Sequence, residues 1–130
     1  MTLTYWEIGP TVADMLNIRY DLGLDEPFQD AFNPYSVNVD ASDALVYGHG
    51  WGLTAFRWGL ISQADRNILK SYCPNKSATV YVRLRDDDWN WVYCKATMIW
   101  PDRELPPNNG WIFDLVINFR IIENYGASPP

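Results

Sequence analysis

Between Leu53 and Glu123 the spacing of apolar positions changes twice, and each change marks a new kind of element. Thr54, Phe56 and Trp58 alternate with Leu53, Ala55 and Arg57, the two-residue period of a strand over residues 53–59. The period then lengthens. Ala64, Ile68, Leu69 and Tyr72 share one helical face, with Ser62 placed to cap it and Asp65 near the free N–H groups. Lys70 suits the opposite end of the dipole and Pro74 stops the turn, so residues 62–73 read as an amphipathic helix. Alternation returns with Val80, Val82 and Leu84, a strand over 78–85. It resumes at 90–100, where Val92, Cys94, Ala96, Met98 and Trp100 oppose Trp91, Tyr93, Lys95, Thr97 and Ile99. Asp86-Asp87-Asp88 joins the two runs as a hairpin. A loop with Pro101, Pro106, Pro107 and Asn108-Asn109-Gly110 leads to a last strand at 111–122. Its pattern sets Trp111, Phe113, Leu115, Ile117, Phe119 and Ile121 on one side. The other side, with Ile112, Asp114, Val116, Asn118, Arg120 and Ile122, is mixed and suits water or a partner.

The first fifty residues are less regular and are broken by Pro10, Pro27 and Pro34. Leu16 to Leu22 alternates apolar and polar, which favours a strand; Thr11 and Asp14 resemble a capping pair and offer a competing helix. Asp25-Glu26-Pro27 is turn material, and Tyr35, Val37 and Val39 mark a second short strand. Gly48, Gly50 and Gly52 do not match dinucleotide or phosphate-loop spacing, so a bend with close backbone approach is expected there. Residues 125–130 read as a frayed tail. The whole is expected to be one domain: an acidic N-terminal arm and strand region 1–50, a strand-helix-hairpin-strand core 51–124 and that tail. The fold class is mainly β with one flanking helix, an antiparallel β-sandwich or a barrel-like sheet.

Charge narrows the function. Net charge is −6, and residues 1–45 hold Glu7, Asp14, Asp21, Asp25, Glu26, Asp30, Asp40 and Asp43 against Arg19 alone. Such a surface repels a phosphate backbone and argues against a nucleic-acid-binding module. MTLTYWEIGP lacks the basic and apolar stretches of a secretory leader, and no apolar run has membrane-spanning length. Cys73 and Cys94 read as reduced thiols, with a disulfide between them left open by spacing alone.

No catalytic signature stands out. His49 is the single histidine, which leaves no multi-histidine metal set within one chain. The carboxylates at 86–88 lack the spacing of a calcium loop and read as a solvated hairpin tip. Sixteen acidic residues make a glycosidase pair easy to draw and none distinctive. Neither a catalytic activity nor a cofactor is therefore expected. Aromatics are the unusual component, at 15% of the chain with seven Trp. Trp89 and Trp91 at the hairpin, with Trp51 and Trp111 near loops, raise a second function: a carbohydrate-binding β-sandwich whose exposed rings stack on sugar faces.

The runs TAFRWGLISQADRNILKSYC, SATVYVRLR, WVYCKATMIWP and WIFDLVINFRIIE together resemble minor tail and distal-tail proteins of tailed bacteriophages. The shared pattern is an aromatic strand, a helix opening near Leu-Ser/Thr, a hairpin, and a closing aromatic strand ending in an acidic residue. Here it falls on Phe56 and Trp58, on Ser62 to Tyr72, on 78–100, and on Phe113 to Glu123, a little over half the chain. The resemblance implies a tail-tube-like fold and a structural virion protein of the distal tail, baseplate or tail tube, assembled in the host bacterial cytoplasm. It implies a homo-oligomeric ring, three-fold or six-fold, that meets other tail proteins and conducts genomic DNA as non-adhering cargo. No membrane partner is implied; a host glycan is the partner under the carbohydrate reading. Interface candidates are Phe28, Phe32 and Tyr35, the hairpin residues Trp89 and Trp91, and Pro106 and Trp111 in the later loop.

Overall fold

The computed structural model of the protein describes residues 6–40, 42–104 and 106–130, excepting the side chains of Val37, Tyr47 and His49. Nine strands and one helix occur among them: β1 Glu7–Gly9, β2 Leu16–Asn17, β3 Phe28–Gln29, β4 Val37–Asp40, β5 Val46–His49, β6 Gly52–Ser62, α1 Gln63–Ser71, β7 Ser77–Arg85, β8 Trp91–Ile99 and β9 Trp111–Gly126. Seven strands form one antiparallel sheet in the order β2-β1-β7-β8-β9-β6-β3, curled strongly into a half-barrel. Strands β4 and β5 make a separate two-stranded ribbon. Of the two expected architectures, the barrel-like sheet is the one adopted.

The alternating residues explain the curl. Strands β7 and β8 bury every second side chain, Val80, Val82 and Leu84 against Val92, Cys94, Ala96 and Met98. From β6 and β9, Phe56 and Phe119 add to the same core, their rings 4.7 Å apart. Helix α1 lays Leu69 on it, with Ile68 and Tyr72 half-buried beside. Ser62 caps the helix as expected, its hydroxyl accepting from the Asp65 N–H at 3.2 Å.

The N-terminal region is not an appendage. Ile8, Ile18 and Leu24 are fully buried in the main core, and β1 pairs with β7 from Glu7↔Arg83 to Gly9↔Tyr81. The strand expected over 16–22 shrinks to Leu16–Asn17. Asn17 ends it: its side-chain oxygen accepts from the N–H groups of Arg19 and Tyr20, turning the chain at once. Thr11 and Asp14 do bond to each other at 2.9 Å, but they close a turn and no helix follows. The glycine-rich stretch behaves as expected. A Cβ on Gly48 would enter the Tyr35 ring, and one on Gly50 (φ +86°) would strike the Ser36 hydroxyl.

The last strand departs from its pattern in an instructive way. Opposite Gly59, Asp114 takes φ +56°, and both positions drop out of an otherwise continuous β6–β9 register. Alternation flips there on both strands. Beyond it Ile61 and Ile112 turn inward, while Leu60, Trp111 and Phe113 are 45–47% exposed. The expected apolar face of 111–122 is thus correct from Leu115 onward and reversed before it.

Candidate functional site: an aromatic cleft and exposed apolar residues

A cleft of about 500 Å³ opens where β3 passes the β7–β8 hairpin. Phe28 and Trp89 line it and stand 73% and 74% exposed; Trp6, Pro27 and Phe32 add apolar wall, and Arg85, Asp86 and Asp87 supply charge. Its floor is built by Gln29. The Gln29 Nε2 donates to the Arg85 carbonyl at 2.7 Å and to Thr54 Oγ1 at 3.3 Å; its Oε1 accepts from the Arg85 N–H at 3.0 Å and from the Trp6 indole at 2.9 Å. One amide thereby links an edge strand to β7 across the mouth of the half-barrel, imitating the strand pairing that the open sheet lacks. Sequence pattern gave no sign of it, because a lone Gln in a turn-rich segment reads as surface.

The hairpin tip is a fixed scaffold. Asp86 Oδ1 accepts from the N–H groups of Asp88 and Asn90, both at 2.9 Å, and the Asp86 N–H donates to the Asn90 carbonyl at 2.9 Å. This loop forces Trp89 to φ +65°, a left-handed conformation that aromatic residues avoid. Among the described residues no group of three or more His, Cys, Asp or Glu side chains could hold a metal ion. The Asp86 carboxylate serves the turn itself.

The seven residues singled out by sequence separate into groups. Phe28, Phe32 and Trp89 meet in the cleft. Trp91 does not join them: it is half-buried, with the Trp6 ring 5.0 Å away edge-on and the Arg85 guanidinium 4.8 Å above it. Tyr35 covers Gly48 at the ribbon. Pro106 lines a shallow depression beside the Arg66–Glu104 ion pair, whose two bonds of 2.8 and 2.6 Å hold the Glu104 carboxyl below its usual range. Trp111 belongs to neither place.

It belongs instead to an apolar patch that sequence did not foresee as a unit. Leu60 lies opposite Phe113, and Ser62 opposite Trp111, so Leu60, Phe113 and Trp111 share one outward face. The ribbon and its flanks carry further exposed apolar side chains: Tyr35, Val39, Leu45, Val46 and Trp51 are 43–61% exposed, with Val39 and Val46 on opposite faces of the ribbon. Cys73 and Cys94 are free and buried, so the disulfide left open by spacing is not formed. Burial, with Asp86 adding repulsion, pushes the Cys94 thiol up to about 12. That thiol is inert packing.

The fold and its exposed features define a mainly β half-barrel protein with an aromatic cleft, an apolar face at Leu60, Phe113 and Trp111, and exposed apolar residues around the β4–β5 ribbon. No family model, curated protein or solved structure matches the chain.

Proposed function

We propose that the protein is a structural subunit, without catalytic activity, that assembles head to tail into a ring of the kind that forms a bacteriophage tail component. The observation that carries this reading is that unlike apolar surfaces stand exposed on one chain, the Leu60, Phe113 and Trp111 face and the β4–β5 ribbon with its flanks. Exposed apolar clusters on a soluble domain mark association surfaces. Two different patches on one chain favour a contact in which the first surface of one copy meets the second surface of the next, and such contacts close into rings or extend into filaments.

The sheet supports the same reading. Beyond β3, Asp30 and Asn33 extend the cover of β6 to Ala55 and Leu53, and β1 covers only Tyr81 to Arg83 of β7, so residues 58–62 of β6 and 77–80 of β7 carry no further strand on those edges among the described residues. A two-stranded ribbon such as β4–β5 is marginal in water by itself and gains stability by packing on something else. A neighbouring copy supplies that cover. Net charge of −6 suits a wall past which DNA moves without adhering.

Light scattering on the purified protein, followed by electron microscopy, tests the proposal. Rings or tubes with a central hole are expected. A strict monomer at all concentrations would remove the basis for assembly.

A further inference from the structure

We infer that the cleft between Phe28 and Trp89 is a binding site for a neutral glycan, independent of the assembly surfaces. Three observations converge on it. First, Trp89 is held at φ +65° by a hydrogen-bonded loop, in a position where glycine would be free of strain. The indole is nevertheless 74% exposed, and no ring contact of it occurs among the described residues. The strained side chain contributes nothing visible to the core, so its use lies outside the molecule.

Second, two exposed aromatic rings, Phe28 and Trp89, line the same open cleft. At about 500 Å³ the cleft is within the range of small-molecule sites. Flat aromatic faces pack against the C–H faces of sugar rings. Third, the polar groups offer both signs of hydrogen bonding. Asp87 brings an exposed carboxylate, and the Arg85 guanidinium makes no hydrogen bond or ion pair among the described residues. Hydroxyl groups, which both donate and accept, match that mixture. The carboxylates of Asp86 and Asp87 outweigh the single cation, which disfavours phosphate, nucleic acid and acidic sugars.

The test is titration of the isotopically labelled protein with maltotriose, cellotriose, chitotriose and, as an anionic control, sialyllactose, following the tryptophan indole N–H resonances. The resonance that disappears in Trp89→Gly is Trp89. At least one neutral trisaccharide is expected to shift it with millimolar affinity, and sialyllactose is expected not to. Trp89→Gly and Phe28→Ala should each weaken binding about tenfold or more while keeping the wild-type mass in solution. Trp89→Gly relieves strain, so a loss of binding cannot be blamed on unfolding. Absence of any shift up to about 10 mM sugar, or unchanged affinity in both variants, overturns the inference. So does a change of solution mass in either variant, which would make the cleft a contact between copies.

Discussion

Trp89 shows how a single residue can reveal a use that its neighbours do not. A left-handed aromatic residue costs about 1–3 kcal/mol, and no ring contact of Trp89 among the described residues offsets it. Trp89→Gly should therefore raise the stability of the fold by about 1 kcal/mol, read as a higher midpoint in urea denaturation. A lower midpoint would mean that the indole packs in a way the geometry does not show. Cys94 makes the opposite kind of statement. Its thiol titrates near 12 in the folded chain against about 9.0 for an exposed one. The folded state thus holds its proton more tightly than the unfolded chain. The associated stability is complete below pH 9, and it is lost as pH rises from there through about 12. Cys94→Ala should be less stable near neutrality because of its cavity, yet lose less stability across that alkaline window. Equal alkaline slopes for the two proteins would contradict the assignment.

At the scale of elements, the half-barrel depends on Gln29. Replacing it by Leu strips partners from the Arg85 N–H, the Arg85 carbonyl and the Trp6 indole together. A loss of about 2–4 kcal/mol is expected, measured as unfolding free energy, because each stranded polar group carries a desolvation cost. A loss below about 0.5 kcal/mol would mean that water serves as well and the mouth needs no clamp. Elements of this kind were unequally legible in the sequence. Helix α1, the β7–β8 hairpin and β6 as far as Trp58 are readable because each buries one continuous face, and burial at a fixed period leaves a pattern. The 16–22 segment misled because Leu16, Ile18 and Leu22 alternate, although Asn17 turns the backbone by side-chain hydrogen bonds that no periodicity records. Residues 111–114 misled for a related reason. The alternation there is unbroken in sequence, and the flip lies in the backbone of Asp114. Of the aromatic cleft, Phe28, Phe32 and Trp89 are legible in the sequence as interface candidates, whereas Trp91 joins Trp89 there on proximity alone. Strand alternation sends Trp91 to the sheet, under Arg85.

On the scale of the whole molecule, the proposed assembly joins the ribbon of one copy to the Phe113 surface of the next. Val46 stands 61% exposed on the ribbon, opposite Asp40, and Phe113 stands 45% exposed on the face it shares with Leu60 and Trp111. Neither contributes to the buried core, so charge placed at either should leave the thermal midpoint within a few degrees of wild type. The unlike-surface arrangement makes a further demand that like-to-like pairing does not. A chain with a damaged ribbon still offers an intact Phe113 surface, and a chain with a damaged Phe113 surface still offers an intact ribbon. One of each can join, and the joined pair has two spoiled ends. The decisive measurement is light scattering on Val46→Asp, on Phe113→Asp and on their equimolar mixture, with wild type alongside. Wild type should run as a closed multimer, each variant alone as a monomer, and the mixture as a dimer that grows no further. A monomeric wild type, or variants that assemble as wild type does, would contradict the account.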